Sequence, residues 1–178
     1  FAVQGARRYL RAKQGGQKLS VIFVRGESGT GKSMLAHLIH ELSDHAGAPF
    51  EEINCAAVPL TLAESELFGY ERGAHDMAFA AKPGIFEAAA NGTLFLDEIG
   101  KTSREFQAKL LKVMDTGALR RLGGKQTLQT SCYVIIAASD DPVELCKKGL
   151  LLEELWFRMG AFTIPLPALR ERVDDIPL

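Results

Sequence analysis

Residues 26–33 read GESGTGKS, a complete match to the phosphate-loop pattern G-x-x-x-x-G-K-[ST]. The apolar run KLSVIFV at residues 18–24 comes directly before this loop, and an amphipathic helical pattern at residues 33–44 follows it. A strand, a glycine-rich turn and a helix in this order let backbone N–H groups and the positive helix N-terminus surround a phosphate. This context favours a nucleotide-binding α/β fold over a glycine-rich turn without a ligand.

The residues of this loop have distinct expected roles. Glycines let the backbone turn inward, Lys32 is expected to reach the β- and γ-phosphates, and Ser33 is expected to hold Mg²⁺. The expected ligands are therefore ATP and Mg²⁺. The expected phosphate-binding residues are Gly26, Glu27, Ser28, Gly29, Thr30, Gly31, Lys32 and Ser33.

A second stretch, TLFLDE at residues 93–98, is an apolar run that ends in two carboxylates. A phosphate-loop enzyme needs one acid for its metal ion and often a second acid to polarise water. We expect Asp97 to hold Mg²⁺ through water, together with Ser33, and Glu98 to act on the attacking water. A solvated turn also places paired acids after a strand, but the complete phosphate loop favours the catalytic interpretation.

Five short apolar runs alternate with helical patterns, which is typical of a parallel sheet with helices on both faces. Most of the runs are too apolar to have one face in water. We expect an α/β fold of the P-loop NTPase type, a three-layer sandwich around a five-stranded parallel sheet. The expected strands are residues 18–24, 50–56, 93–96, 133–138 and 162–166.

Two of the helical patterns have apolar stripes. The second also has end signals, since Thr102 and Glu105 match a capping box and Gly117 suits a left-handed C-terminal cap. The first stripe comprises Met34, Leu35, Leu38, Ile39 and Leu42, and the second comprises Phe106, Leu110, Val113 and Met114.

Composition places the chain in a broad class. Its 178 residues are 47% hydrophobic, which allows one domain with a substantial core. A formal net charge of −1 predicts no general affinity for nucleic acid. Scattered cysteines and the lack of a leader or a long apolar span predict a cytoplasmic protein without membrane contact. We expect one α/β subdomain over residues 1–178, cut from a longer protein, with residues 1–17 as a helical or linker segment.

Seven stretches occur in a fixed order: GESGTGKS (26–33), INCAA (53–57), ESELFGYERGA (64–74), GTLFLDEIG (92–100), FQAKLLKVMD (106–115), RLGG (121–124) and LPALRERVDDIPL (166–178). Together they resemble the central AAA+ domain of NtrC-like bacterial enhancer-binding regulators, which act on sigma-54 RNA polymerase. The resemblance covers about residues 20–178.

The resemblance implies a hexameric or heptameric ring with ATP between subunits, in which a surface loop moves against the sigma factor. It implies that Asn54 restrains Glu98, although a strand-end Asn that only bonds backbone is the open alternative. It also implies that Arg158 faces the ATP of the neighbouring subunit. A helical lid after residue 178, a sensory domain and a DNA-binding domain are implied outside the chain, so DNA contact is expected only there.

Three departures from the family pattern bear on function, and the first is in the surface loop. The family loop reads GAFTGA, whereas this chain has Gly73, Ala74, His75, Asp76, Met77 and Ala78. His75 and Asp76 replace the aromatic residue and the Thr that touch the sigma factor. A polar tip is costly to bury against an apolar partner, so the change disfavours sigma-54 contact.

The other two departures concern the γ-phosphate. Leu152 replaces the first of two family arginines, and an arginine finger is worth about 10³–10⁵ in rate. Ser139 and Asp140 replace a Thr-Asn pair that senses the phosphate, and an ionised Asp cannot donate a hydrogen bond. We expect Asp140, within the run Asp140-Asp141-Pro142, to cap a helix at residues 143–148 instead.

The main hypothesis is an ATP-binding AAA+ module that assembles with nucleotide, with weak or lost hydrolysis and no ordinary sigma-54 activation. One alternative is a mechanochemical ATPase that remodels sigma-54 polymerase or another substrate. The other alternative is a structural oligomerisation module that binds no nucleotide.

Overall fold

The computed structural model describes residues 5–6 and 19–172. The expected segment at residues 1–17 therefore lies almost entirely outside the described residues. The strands are β1 (Val21–Arg25), β2 (Phe50–Asn54), β3 (Gly69–Tyr70), β4 (Lys82–Pro83), β5 (Thr93–Asp97), β6 (Ala118–Leu119), β7 (Leu128–Gln129), β8 (Tyr133–Ala138) and β9 (Thr163–Pro165). The helices are α1 (Lys32–Glu41), α2 (Leu60–Phe68), α3 (Ile85–Ala88), α4 (Arg104–Thr116), α5 (Pro142–Lys147) and α6 (Glu153–Met159), with 3₁₀ turns at Ile99–Lys101 and Leu169–Glu171. Across these described ranges, every helix is too short or too polar to cross a lipid bilayer.

The main sheet has five parallel strands in the order β2-β5-β8-β1-β9. This confirms the predicted five-stranded parallel sheet. Because the strands are parallel, their carboxyl ends share one edge, where ligands of open α/β sheets bind. Strand β8 lies between β1, which leads into the phosphate loop, and β5, which ends at the paired acids. The residue that follows β8 is thereby placed between the loop and the acids.

The sheet is covered on both faces. Along β1, Val21 and Phe23 belong to one buried cluster, and Ile22 and Val24 belong to the other, as the two-residue period of a strand requires. Helix α4 packs into the first cluster and helix α1 into the second. The predicted three-layer sandwich is confirmed.

The apolar stripe of α4 is buried as predicted, but its capping box is wrong. The helix begins one residue later, and Ser103 accepts a hydrogen bond from the N–H of Phe106 at 3.1 Å. The Thr102 hydroxyl instead donates to the carbonyl of Ile99. Gly117 ends the helix with φ 65°, as predicted, and its N–H donates to the carbonyl of Val113.

The apolar stripe predicted for α1 is only partly correct. Met34 is 77% exposed and Leu38 is 45% exposed, and Leu42 after the helix is also exposed. The buried residues of α1 are Lys32, Ala36, Ile39 and His40. These positions have the spacing of one helix face, so Lys32 lies on the same face of α1 as the residues that pack against the sheet. Hydrophobicity alone did not reveal this orientation.

The different burial of Leu110 and Leu38 predicts that truncating them lowers the free energy of unfolding by unequal amounts. Leu110→Ala removes a fully buried side chain of α4, so the free energy of unfolding should fall by about 2–5 kcal/mol. Leu38→Ala removes a half-exposed side chain of α1 and should change it by less than about 0.5 kcal/mol. Denaturant unfolding of both variants measures the difference, and equal losses would contradict the described burial.

Candidate phosphate-binding site

The phosphate loop adopts the open turn that its glycines predict. Gly29 has φ 81° and Gly31 has φ 93°, a region that glycine occupies at little cost. A Cβ added at either residue would meet nothing within 4 Å, and both glycines line an open cavity. Gly31 also directly precedes helix α1, whose N-terminus therefore faces the same space. An anion fits this arrangement of N–H groups.

Lys32 extends into the space that the loop surrounds. Its side chain is only 6% exposed, and its ammonium donates to the carbonyl of Gly26 at 3.1 Å and to the hydroxyl of Ser139 at 2.8 Å. The carboxylate of Glu98 lies 3.6 Å from the same nitrogen. The lysine is thus a buried cation that oxygen atoms surround on several sides, close to where a phosphate would approach.

The two acids after β5 differ in their surroundings. Partial burial raises the pKa of Asp97, and the positive charge of Lys32 opposes that rise. One Asp97 oxygen accepts the N–H of Glu98 at 3.0 Å. Glu98 itself has φ 56° and ψ 51°, which is a left-handed conformation unusual for a residue with a side chain. Strained backbone of this kind is common at functional sites, where it aims one side chain.

Ser139 connects the lysine to the second acid. Its hydroxyl accepts from the Lys32 ammonium and donates to the Glu98 carboxylate in a close contact, while its N–H lies 3.4 Å from the other Glu98 oxygen. We predicted Ser139 at a phosphate-sensing position but did not predict this bridge. The position of β8 between β1 and β5 accounts for it, and that strand order was not available from local sequence patterns.

These side chains line a cavity of about 600 Å³. Besides the phosphate loop, the cavity wall includes Asn54, Asp97, Glu98, Lys101 and Asp140. Cations, loop N–H groups and carboxylates within one open cavity fit a nucleoside triphosphate with a divalent cation. Ser33 and Asp97 both line the cavity, and they are the residues that would hold Mg²⁺ through water.

Asn54 lies in the cavity wall, but its side chain is engaged locally. Its Oδ1 accepts the N–H of Ala56 at 2.9 Å, which is the strand-end role that we left open. In the described part of the chain, Ser139 and Lys32 contact Glu98 instead. The restraint of Glu98 by Asn54 stays a prediction that this geometry does not support.

The expected capping role of Asp140 is wrong. Asp141 is the residue that caps α5, because its carboxylate accepts from the N–H groups of Val143 at 2.8 Å and Glu144 at 3.2 Å. Asp140 instead lies in the cavity wall, with its carboxylate 3.6 Å from the Lys101 ammonium. Because Asp141 caps the helix, Asp140 is not needed as a cap, and it lines the phosphate cavity.

Arg158 is directed into its own chain. Its guanidinium donates to the Asp115 carboxylate at 2.9 Å and to the carbonyls of Leu19 and Met114 at 2.8 and 3.1 Å. The side chain is only 15% exposed. Arg158 thereby links α6 to the end of α4 and to the start of β1. Its expected contact with a neighbouring subunit would require breaking these bonds, so that role stays a prediction that the geometry disfavours.

The predicted surface loop closes on itself. The N–H of Gly73 donates to the carbonyl of Ala78 at 2.8 Å, and the ring of His75 packs edge-on against Tyr70. Two apolar side chains flank this turn, Met77 at 72% exposure and Phe79 at 77%. The expectation of a polar tip is therefore incomplete, because exposed Met77 and Phe79 add apolar surface to the segment that contains His75 and Asp76.

The 3₁₀ turn at Leu169–Glu171, which follows β9, contacts the outer side of the phosphate loop. The guanidinium of Arg170 makes two hydrogen bonds with the Glu27 carboxylate, at 2.6 and 2.7 Å, and these bonds lower the pKa of Glu27. The Glu27 side chain is therefore directed away from the cavity, and only its backbone is available to a phosphate. Local sequence patterns hold no signal for this pairing, since the two residues are 143 positions apart in the chain.

The contacts of Arg158 predict a structural cost within a single chain. Arg158→Ala leaves the Leu19 carbonyl without its donor and should lower the free energy of unfolding by about 1–3 kcal/mol. The exposed Arg104, whose guanidinium donates to the carbonyl of Gly149, is the control, and Arg104→Ala should cost less than about 0.5 kcal/mol. Denaturant unfolding checks both. Unchanged stability in Arg158→Ala would instead indicate a guanidinium reserved for another subunit.

Comparisons with known proteins identify the family of the chain. Residues 4–165 match the family of sigma-54 interaction domains. The chain is 48% identical over 157 residues to the Nif-specific regulatory protein of Enterobacter agglomerans, which covers 88% of this chain and 30% of that protein. A second relative, the Nif-specific regulatory protein of Azotobacter vinelandii, is 48% identical over 158 residues, with 89% and 30% covered.

Solved structures show the same fold. NtrX from Brucella abortus in complex with ATP is 30% identical, with a TM-score of 0.81 over 99% of this chain and 38% of that chain. The same protein in complex with ADP has a TM-score of 0.82. The chain spans about a third of the length of its Nif-specific relatives. It has an AAA+ P-loop NTPase core, and it belongs to the sigma-54 interaction domain family.

Proposed function

We propose that this chain is the ATP-binding module of a cytoplasmic sigma-54-type transcription regulator in which nucleotide binding, rather than rapid turnover, is the working signal. ATP with Mg²⁺ occupies the cavity at residues 26–33, Asp97 and Glu98. Binding favours a hexameric or heptameric ring of identical subunits. DNA contact belongs to a domain outside the chain.

The observation that carries this proposal is the buried ammonium of Lys32 at the open phosphate loop. A cation at 6% exposure is costly unless oxygen atoms pair with it, and here the pairing atoms sit at the mouth of a cavity of about 600 Å³. A phosphate oxygen can replace the Ser139 hydroxyl on this ammonium without burying any new charge unpaired. The ATP and ADP complexes of NtrX support the choice of ligand.

Slow hydrolysis follows from the groups that would act on the γ-phosphate. Glu98 is held by the hydroxyl of Ser139 and lies near the Lys32 cation, so its carboxylate must be released before it can orient water. The guanidinium of Arg158 is occupied by acceptors of its own chain, and Leu152 is apolar and half-buried against the core. Asp140 adds a carboxylate to the same cavity. Restraint of Glu98 hinders orientation of the attacking water, and the other features weaken stabilisation of negative charge in the transition state.

The surface loop supports a second candidate function. Met77 and Phe79, two residues apart in the chain, each expose a large apolar side chain, and exposed apolar surface of this kind suits contact with an apolar partner. In this alternative, the chain is a mechanochemical ATPase that remodels sigma-54 polymerase or another substrate. The main proposal instead gives the loop no ordinary sigma-54 contact, because His75 and Asp76 occupy the positions of the family's aromatic residue and Thr. The rate of ATP hydrolysis distinguishes these two candidate functions.

Removal of the Lys32 charge tests nucleotide binding. Lys32→Ala should weaken ATP binding by about 10- to 100-fold, the equivalent of ~1.5–3 kcal/mol for charge-assisted hydrogen bonds. The exposed Lys148, outside the cavity, provides the control variant Lys148→Ala, which should bind ATP as the unaltered chain does. Calorimetric titration with Mg²⁺ and ATP gives the affinities, and light scattering of the same samples reports assembly.

Two results would count against the proposal. Absence of saturable ATP binding by the unaltered chain would leave only the structural oligomerisation module. Equal ATP affinity of the Lys32→Ala variant and the unaltered chain would show that the nucleotide binds elsewhere.

A further inference from the structure

A second cavity lies between helix α4 and the hairpin of β6 and β7, where Phe68 from the end of α2 also contributes to the wall. Its volume is about 330 Å³, within the range of small-molecule sites in proteins. It shares no lining residue with the phosphate cavity. A ligand of this cavity would therefore bind independently of the nucleotide site.

The inner wall of this cavity is apolar. Phe68, Val113 and Leu119 line it, and each belongs to the main buried cluster and is at most 4% exposed. Their side chains are held by the packing of the core, so the wall is fixed in shape before any ligand arrives. A ligand with only polar groups would gain nothing from this wall, so the occupant must have an apolar body.

The rim of the cavity is cationic. Lys109, Lys112 and Arg120 line it, and Lys109 pairs with the Glu64 carboxylate. The guanidinium of Arg120 donates to the neutral hydroxyl of Thr127 at 2.9 Å. Between residues 19 and 172, no carboxylate forms an ion pair with Lys112 or Arg120, so the rim keeps two positive charges. An anionic group at the mouth would neutralise charge that the folded chain leaves uncompensated.

We infer that this cavity binds a small amphipathic carboxylate, with its hydrocarbon body against Phe68, Val113 and Leu119 and its carboxylate between Lys112 and Arg120. The two cations lie on different elements, α4 and the residue after β6, so the ligand bridges the helix and the hairpin. A bound acid therefore restrains the hairpin against α4. A free inorganic anion would satisfy the rim but would leave the apolar wall in water.

Calorimetric titration of the chain with decanoate and with naphthoate tests this site, with decanamide and naphthamide as neutral matches. We expect saturable one-to-one binding in which each acid binds at least about tenfold more tightly than its amide, because only the acid forms charge-assisted hydrogen bonds. Lys32→Ala should leave this binding unchanged, since the phosphate cavity is separate.

Matched variants locate the ligand. Lys112→Glu and Arg120→Glu replace exposed rim cations and should each weaken decanoate binding by about tenfold or more. Lys148→Glu makes the same charge change away from the cavity and should have no effect. Ala118→Phe fills the cavity without altering its charge and should also weaken binding.

Three results would overturn the inference. The first is equal affinity for acid and amide, which would show that the rim cations do not recognise the carboxylate. The second is an equal effect of Lys112→Glu and Lys148→Glu, which would indicate adsorption governed by net charge. The third is absence of saturable binding of either acid.

Discussion

The ammonium of Lys32 is buried, and a buried cation must be surrounded by oxygen atoms that the fold brings to it. Those atoms come from the phosphate loop, from Ser139 after β8 and from Glu98 after β5. Three segments distant in sequence must therefore meet at one edge of the sheet. The same requirement orients helix α1, whose inward face begins at Lys32, and this leaves Met34 and Leu38 in solvent.

This constraint connects the fold to the proposed function. In the proposed function, a γ-phosphate oxygen would compete with the Ser139 hydroxyl for the lysine, and Ser139 also holds the carboxylate that would orient water. Nucleotide binding and release of Glu98 would thereby be coupled through one hydroxyl group. Arg158 joins α6 to the core, so its guanidinium is engaged within its own chain and not at the nucleotide of a neighbouring subunit, where the family resemblance places it.

The sequence predicted the features that depend on local patterns. The phosphate loop, the parallel sheet, the buried stripe of α4 and the C-terminal cap at Gly117 are all present. It did not predict contacts between distant segments, such as the Ser139 bridge or the pairing of Glu27 with Arg170. It also assigned a helix cap to the wrong aspartate, since adjacent Asp residues differ only in their distance from the helix start. Strand order and helix rotation decide these contacts, and neither is encoded in a short window of residues.

We propose that this chain retains ATP without rapid turnover. The most direct test is steady-state ATP hydrolysis at saturating Mg²⁺ and ATP, measured over increasing protein concentration, with Glu98→Gln as the background. The expected result is stoichiometric bound ATP and a rate that stays within about tenfold of the background at every concentration, because a trans-acting charge worth about 10³–10⁵ is missing. A rate that rises steeply with protein concentration, well above the Glu98→Gln background, would contradict it.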